Sequence, residues 1–535
     1  MDPVQPWASA VAIRAGRFVF VGDDAGAAPW IGPATVVHDL DGSVVLPGLI
    51  DSHTHPGQVT GSHGVFLLPR TLDRDELLAA VAEASRTRPG GSLLVGGYWP
   101  ISAFGLEGPS RHDLDRVVAD RPVLLLDDSG HSQWLNSAAL ALFGIDRHTP
   151  DPVAGFSCFV RDAAGDPTGW VKEFALQPVA GSRIFGADVD AGALEAFLRD
   201  LVAHGVVAVF DGGNREAEDA VYAALAAMDR AGRLPLRYEG SVHVLLPGQL
   251  PGAIDRVAAL QRAYGGRRLR INTVKLVFDG VTEVGTAALL DPYVDGSGCR
   301  GNTLVDGETL RGFIVALHEA RVDLHMHTVG DAAVRTALDA VEAARRDVGG
   351  PLATQVSLSH LEVLDPADVP RFAALGVVAN HTPHWHGGYF GGADRRLGAE
   401  RYERMYAVRP LLDAGAIVAF SSDITDHVEW TTGRANPFVG MQVAHTRREI
   451  GTDPSVEVRP PADQRLSLEA LVRGYTRGSA FQLGLADELG SITPGRSADL
   501  VVLDRDLFAV GPDEVHAVTP IAVLIQGELA FGVLP

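Results

Sequence analysis

The hydrophobic and polar positions divide the chain into two ends of short strands and a long middle where strands alternate with helices. Neither end has enough apolar strands to bury a sheet alone. The pattern therefore predicts one small β-sandwich that both ends of the chain build together. Its predicted strands are 11–14, 17–21, 36–40, 43–46, 498–503, 521–525 and 528–531.

The middle of the chain has the alternation of apolar strands and helices that is typical of parallel βα units. Eight such strands predict an α/β fold, a (β/α)8 TIM-type barrel, with the composite β-sandwich beside it. The predicted domains are 1–48 and 485–535 for the sandwich and 49–484 for the barrel, with insertions near 56–120 and 140–190. Helices are predicted at 76–86, 191–204, 216–231, 332–346 and 468–483. The predicted strands end near His55, Asp127, Asp211, Phe278, His327, His360, His381 and Ser422.

The composition of the chain limits the kinds of molecule that it is expected to bind. The net charge of −22 argues against nucleic acid, because phosphate binding needs clustered Lys and Arg. Two cysteines are too few for a disulfide framework. The N-terminus lacks a signal-peptide pattern, and no apolar run is long enough for a membrane helix. We therefore expect a cytoplasmic protein with a small-molecule substrate and no membrane contact, and a homodimer is left open.

The first predicted barrel strand ends in His53-Thr-His55. Residues two apart in a strand point to the same side, so both imidazoles would face one site. Histidine is the commonest protein metal ligand, binding through a neutral ring nitrogen. An isolated His-x-His is usually two ordinary polar residues. Here the apolar strand and the Pro47-Gly48 turn favour a metal site at the mouth of the barrel.

The fourth predicted strand carries Lys275 in an otherwise apolar run. A buried, unpaired ammonium group is costly. One interpretation is an ion pair between Lys275 and a neighbouring carboxylate. The other is that CO2 converts the amine into a carbamate, whose two oxygens could bridge two cations.

Three later strands also end in residues that bind metals. His325 and His327 share a face of one strand, and His327, which is nearer the strand end, is the predicted ligand. His325 is expected to lie in the core or behind a ligand. His360 ends the next strand, and Asp423 follows the last. A lone Asp after a strand is usually a cap or turn residue, but this one is in register with the histidines and the lysine.

Together these residues resemble the amidohydrolase superfamily, and within it the YtcJ-like branch that includes N-substituted formamide deformylases. The resemblance covers nearly the whole chain, and its first and last motifs are highly specific when they occur together. The motifs are Leu46-Pro-Gly-Leu-Ile-Asp-Ser-His-Thr-His55, Gly130-His-Ser-Gln-Trp-Leu-Asn136, Thr168-Gly-Trp-Val-Lys-Glu173, Val274-Lys-Leu-Val-Phe-Asp-Gly280, His327-Thr-Val-Gly-Asp331, Ser422-Asp423 and Leu489-Gly-Ser-Ile-Thr-Pro-Gly-Arg-Ser-Ala-Asp-Leu-Val-Val-Leu503.

The resemblance implies a site with two metals. His53 and His55 would hold one metal together with Asp423. His327 and His360 would hold the other, and carboxylated Lys275 would bridge them. Zinc suits these ligands, with manganese or iron as alternatives. Two cations about 3.5–4 Å apart would activate a hydroxide and polarise a carbonyl, and Asp423 would act as general base and then general acid.

Further motif residues are expected near the substrate. His131 would contact the substrate carbonyl or the leaving group, or else make a structural hydrogen bond in its loop. Lys172-Glu173 would contact the substrate, or else form a surface charge pair. Among the histidines that follow the seventh strand, His384 is the predicted substrate contact, and a further metal there is disfavoured. Trp134 completes the set of predicted substrate contacts.

Two departures from the branch pattern leave the substrate open. Ala332-Ala333 follows Asp331 where the branch has an Arg, and Val281-Thr-Glu-Val-Gly285 replaces small polar residues. The leading hypothesis is hydrolysis of a C–N bond in an amide or formamide. Hydrolysis of a cyclic amide, a carbamate or an ester is the alternative. A catalytically silent metal-binding regulator is a third class, but no predicted ligand is missing.

Overall fold

The centre of the protein is one parallel sheet of eight strands, in a computed structural model that describes residues 6–61, 65–88, 91–180, 189–388, 390–453, 459 and 462–535. The last strand meets the first: the Asp423 N–H donates to the His53 carbonyl (2.8 Å) and the His55 N–H to the Ile424 carbonyl (3.0 Å). The predicted (β/α)8 barrel is thereby confirmed. Its strands are β1 Leu49–Thr54, β2 Val206–Asp211, β3 Arg237–Val244, β4 Leu269–Val277, β5 Asp323–Thr328, β6 Val356–His360, β7 Val378–His381 and β8 Val418–Phe420.

Helices cover the outside of the barrel, each with one apolar face turned inward. In Ala191–Ala203 the buried side chains recur at helical spacing, from Leu194 to Val202. The last helix contains a π-helical turn, Gly474–Gly478, at its contact with β8. A Cβ at Gly478 would lie 1.8 Å from the Val418 carbonyl oxygen, so only glycine allows this approach. The helices of this layer are Ala191–Ala203, Glu218–Arg230, Ala253–Tyr264, Gly307–Ala320, Asp331–Val348, Val369–Leu375, Arg409–Asp413, Leu468–Arg473 and Ser479–Gln482.

One predicted barrel strand is wrong, and one barrel strand was missed. Val123–Asp127, the second predicted strand, pairs with Leu94–Trp99 and Ser132–Leu135 in a separate sheet. The missed strand is β3, whose sequence contains charged residues and so does not read as a buried strand. Its charged side chains form ion pairs with residues that are far away in the sequence: Arg237 with Asp499 (2.7 Å) and Glu239 with Arg270.

A second, six-stranded sheet lies between β1 and β2 in the chain, and we call it the inserted sheet. Its apolar core also includes Val281 and Val284 from the loop after β4 and Val329 from the loop after β5, so it packs over the barrel mouth. The parts of the predicted insertions at 62–64, 89–90 and 181–188 lie outside the described residues. The strands, in sheet order, are Phe66–Leu67, Leu94–Trp99, Val123–Asp127, Ser132–Leu135, Pro167–Lys172 and Cys158–Arg161. The helices of this region are Pro56–Gly61, Arg74–Thr87, Arg111–Val117, Ser137–Phe143 and Gln177–Ala180.

The two ends of the chain share one four-stranded sheet. Val45–Pro47 pairs with Leu500–Leu503, and Phe18 packs in one cluster with Ala498 and Leu524. The predicted strand 36–40 is wrong, because these residues pair with no other strand in the structure. Val36 is 75% exposed. The domain boundaries after 48 and 484 stay a prediction. The strands are Ala10–Arg14, Arg17–Gly22, Val45–Pro47, Leu500–Leu503, Pro520–Ile525 and Glu528–Gly532.

Short helices complete the described fold. Four of them follow the last two barrel strands, and one lies near the N-terminus: Ala393–Leu397, Ala399–Glu403, His427–Thr431, Pro437–Thr446 and Asp24–Ala27. None of the helices that the structure describes is both long and apolar enough to cross a membrane.

Candidate metal centre

The structure brings His53, His55 and Asp423 together at the mouth of the barrel. Asp423 Oδ1 lies 3.2 Å from His55 Nε2 and 3.6 Å from His53 Nε2. All three side chains are buried, and one ligand atom of each lies within 4.8 Å of the others. Asp423 Oδ1 has no hydrogen-bond partner among the described residues. Two imidazoles and a buried carboxylate oxygen without a partner are a donor set that fits a divalent metal.

The backbone around this trio is tied down and strained. Asp51 accepts hydrogen bonds from the Ser422 N–H (3.0 Å) and the Ser422 hydroxyl, which joins β1 to the end of β8. Burial raises the pKa of Asp51 to about 7, against these hydrogen bonds. Asp423 and His360 have φ angles of 49° and 78°, in the left-handed region. Such strain in non-glycine residues is kept where the surroundings enforce it, and it is common at functional sites.

His327 and His360 form a second pair beside the trio. Their ring centroids are 4.4 Å apart. His360 Nδ1 lies 3.6 Å from Asp423 Oδ2 and has no hydrogen-bond partner among the described residues. His327 Nε2 lies 3.3 Å from the Gly280 carbonyl. Burial holds the pKa of both rings well below the usual range, so both are neutral, as metal ligands must be.

Lys275 lies between the two groups. Its Nζ is 3.1 Å from His53 Nε2, and within the described part of the chain no carboxylate oxygen lies within 4.0 Å of it. The ion pair that the sequence left open is therefore not formed there. Burial lowers the pKa of Lys275 to about 7. A buried amine without a carboxylate partner, surrounded by imidazoles, is an unusual arrangement that needs an explanation.

His325 lies behind His53 rather than beside the second pair. Its Nε2 is 3.0 Å from His53 Nδ1, and its Nδ1 is 2.7 Å from Ser357 Oγ. Both ring nitrogens therefore have protein partners. The contact also fixes the His53 ring, because a hydrogen bond at Nδ1 leaves Nε2 to face Lys275 and Asp423.

The inserted sheet brings a histidine–carboxylate pair, His131 and Glu173, next to His327. The His131 Nδ1–H donates to Glu173 (2.6 Å), and the Glu173 N–H donates to the His131 carbonyl (2.7 Å). The Thr286 hydroxyl donates to the other Glu173 oxygen. The His131 ring centroid is 5.0 Å from that of His327. Burial lowers the pKa of His131, but the Glu173 carboxylate outweighs burial and the net pKa is raised.

The other three predicted substrate contacts, Trp134, Lys172 and His384, each form a hydrogen bond with a backbone carbonyl. Trp134 is fully buried, and its Nε1–H donates to the Ser110 carbonyl (2.9 Å). The Lys172 ammonium donates to the Val284 carbonyl (2.8 Å), and burial lowers its pKa to about 8. His384 is also fully buried, with Nε2 3.2 Å from the Asn436 carbonyl. Their contact with a substrate stays a prediction.

Two buried polar residues near the site were missed. His243 on β3 is aligned with Lys275 on β4. The alternation of Glu239, Ser241 and His243 in the sequence is a period-two pattern that could have indicated an inward-facing strand. Asp279, just after β4, accepts three backbone N–H bonds of 2.9 Å from loops after β4 and β5. Burial raises its pKa to about 8.

Comparisons with known proteins show what this chain is similar to. A model of the amidohydrolase family matches residues 36–531. The chain is 30% identical over 519 residues to the amidohydrolase YtcJ of Bacillus subtilis, covering 93% of this chain and 91% of that protein. It is 28% identical over 556 residues to the N-substituted formamide deformylase of Arthrobacter pascens, covering 99% and 96%. A solved metal-dependent hydrolase from Pyrococcus furiosus superposes with a TM-score of 0.62 at 25% identity, covering 93% and 95%.

Proposed function

This chain belongs to the amidohydrolase family and is a metal-dependent hydrolase, and from that premise we propose that it cleaves a C–N bond in a small amide or formamide. The observation that carries the proposal is the convergence of the His53–His55–Asp423 trio, the His327–His360 pair and Lys275 at one end of the barrel. The substrate class follows the similarity to the formamide deformylase, which spans both proteins nearly end to end.

The residues of this site would hold two metals. His53, His55 and Asp423 would hold one, and His327 and His360 the other. Zinc suits imidazole and carboxylate ligands, with manganese and iron as alternatives. Metals bound in this way supply Lewis acidity, which polarises a substrate carbonyl and makes water nucleophilic at neutral pH.

Lys275 would complete the site as a carbamate. Its neutral amine adds to the carbon of CO2 to form a C–N bond, and the released proton passes to the buffer. The product carries one negative charge on two oxygens. That charge gives the two groups of ligands a common anionic partner, where the unmodified side chain offers only an amine 3.1 Å from His53. The change replaces a buried basic group, which nearby cations would repel, with an anion that they attract.

Asp423 would move the proton during hydrolysis. Its two oxygens face His55 on one side and His360 on the other. It would accept a proton from the attacking water and deliver it to the nitrogen of the leaving amine. In the overall reaction the amide and water give a carboxylic acid, or formate, and the amine.

His131 would bind the substrate beside this centre. Glu173 accepts its Nδ1–H, which leaves Nε2 as the atom that meets the substrate carbonyl or leaving group. The carboxylate therefore positions the ring rather than touching the substrate. Because both residues come from the inserted sheet, the insertion would set which substrates bind.

Replacing Glu173 with glutamine tests this positioning role. Glu173→Gln keeps the size of the side chain but loses the charge-assisted hydrogen bond to His131. A misplaced ring is expected to lower kcat/KM by about 10²-fold, while metal content stays at the wild-type value. Glu83→Gln, at an exposed ion pair with Arg86, is the control. A variant with unchanged kcat/KM, or one that loses its metal, would contradict the role.

A substrate panel tests the proposed function itself. N-formyl amines, N-acyl amines, cyclic amides, carbamates and esters are assayed with apoprotein reconstituted with zinc or manganese. We expect hydrolysis of N-formyl or N-acyl amines only when a metal is present, with loss of activity on chelation and recovery on readdition. Turnover of esters or cyclic amides alone would replace the proposed substrate class. Full turnover after complete metal removal would refute the mechanism.

A further inference from the structure

His243 is a buried histidine that the proposed mechanism does not use. It is aligned with Lys275 on the neighbouring strand, and Lys275 is aligned in turn with His325. Paired positions on adjacent parallel strands point to the same face, and adjacent strands are about 4.8 Å apart. His243 therefore enters the barrel interior directly beside Lys275, in the row that also holds His325.

The position of His243 is fixed by close contacts. Its backbone N–H donates to Glu218 Oε1 (2.8 Å). Its ring lies against Gly213, where a Cβ would come within 2.5 Å of both Cγ and Nδ1. Gly213 has a φ of 117°, and its carbonyl oxygen lies 3.1 Å from His55 Nδ1. The same short loop thus holds both the ligand His55 and the ring of His243.

One ring nitrogen of His243 has no polar partner among the described residues. Its Nδ1 is buried and has no hydrogen-bond partner among the residues that the structure describes. Leaving a buried donor or acceptor unmatched costs about 1–3 kcal/mol. Burial, followed by the charges of His55 and Lys275, holds the pKa of His243 well below its usual range. Either tautomer of a neutral imidazole offers one N–H.

A carbamate on Lys275 would change the surroundings of that N–H. The unmodified amine and the His243 ring are both bases, and neither attracts the other strongly. After addition of CO2 the neighbouring side chain carries two oxygens that share one negative charge, and both are strong acceptors for a nearby N–H.

We propose that His243 is a positioning residue that donates a hydrogen bond to the carbamate of Lys275 and so stabilises the bridging group and metal binding. The proposal rests on the proposed carboxylation of Lys275. Loss of CO2 from a carbamate requires its oxygens to give up their partners, so a donor held by β3 would slow that loss. Partners that hold a ligand in this way are typically worth about 10–100-fold in metal affinity.

The test compares His243→Leu, which has no donor, with His243→Gln, which keeps an amide N–H. His386→Leu is the matched control, because His386 is also a buried ring whose nitrogens lack partners within the described residues, but it stacks on Tyr406 (ring centroids 5.2 Å apart). Carbamate is measured by 13C NMR after incubation with 13C-bicarbonate, and zinc affinity by titration of the apoprotein. Circular dichroism checks folding. If His243→Leu does not fold, His243→Asn, whose amide is one methylene shorter, is compared with His243→Gln.

We expect His243→Leu to lower both the carbamate signal and the zinc affinity by at least about 10-fold. His243→Gln should lose less, and raised bicarbonate should restore metal binding in both. A purely structural role would not respond to bicarbonate. Equal carbamate and zinc affinity in His243→Leu and wild type would overturn the inference, as would an equal loss in His386→Leu. A wild-type protein without any carbamate signal would instead overturn the proposed bridge at Lys275, and this inference with it.

Discussion

Lys275→Ala is expected to release metal and abolish hydrolysis. The substitution removes the buried amine that lies 3.1 Å from His53 Nε2, and with it the proposed bridge between the His53–His55–Asp423 trio and the His327–His360 pair. The pair then has two neutral ligands and no anion, so its metal should be lost, while the trio keeps a weaker site. Loss of several kcal/mol of charge stabilisation corresponds to a fall in kcat/KM of at least about 10³-fold. Elemental analysis and a steady-state assay measure both effects.

Lys172→Ala is the matched control for metal content. Lys172 is also partly buried and lies in a family motif, but its ammonium donates to the Val284 carbonyl and lies 4.4 Å from the centre of the Trp170 ring. This variant should keep its metal. Short carboxylic acids such as formate or acetate should restore part of the metal and activity of Lys275→Ala, because they can occupy the place of the carbamate. A Lys275→Ala protein with wild-type metal and turnover would rule out the bridge.

The residues of the candidate site could be predicted from the sequence because each one is recognised from the short stretch around its own strand end. Each of its residues stands at or near the end of an apolar strand, and parallel strands in a barrel bring those ends together. Lys275 remained on the fourth strand even though one predicted strand was wrong and one was missed. The error at Asp127 and the omission of Arg237–Val244 cancelled in the strand count.

The rest of the fold depends on partners far away in the chain. The buried charges of β3 are matched by Asp499 and Arg270, which a pattern within one strand cannot show. The strand Val123–Asp127 ends in a hairpin to Ser132–Leu135 rather than in a crossover helix. Its apolar run alone fits either a barrel strand or a strand of a separate sheet.

The pairing of His131 with Glu173 could not be predicted from the sequence either. Their motifs are 42 residues apart, and each has an ordinary structural interpretation. The structure joins them by a 2.6 Å hydrogen bond and ties Glu173 to Thr286 in the loop after β4. The position of Glu173 is thus fixed jointly by the insertion and by the loop after β4.

Asp423→Asn should separate proton transfer from metal binding. Asparagine keeps the shape of the side chain and one carbonyl oxygen, so it can still face His55 and His360. It cannot accept a proton from water at neutral pH. Loss of a positioned general base typically costs about 10²–10⁴-fold in rate, and we expect kcat to fall in this range while most of the metal remains bound.

A control in the same loop makes the Asp423 result specific. Asp426 is also buried, forms an ion pair with Arg70 (3.0 Å) and caps the helix that begins at His427. Asparagine is an equally good helix cap, so Asp426→Asn should lower thermal stability slightly through the lost ion pair and leave kcat unchanged. If Asp423→Asn turned over substrate within a few-fold of wild type, another group would have to move the proton. If it lost its metal as fully as Lys275→Ala, Asp423 would act chiefly as a ligand. A large fall in kcat with metal retained, set against an active Asp426→Asn, would assign the proton to the Asp423 carboxylate.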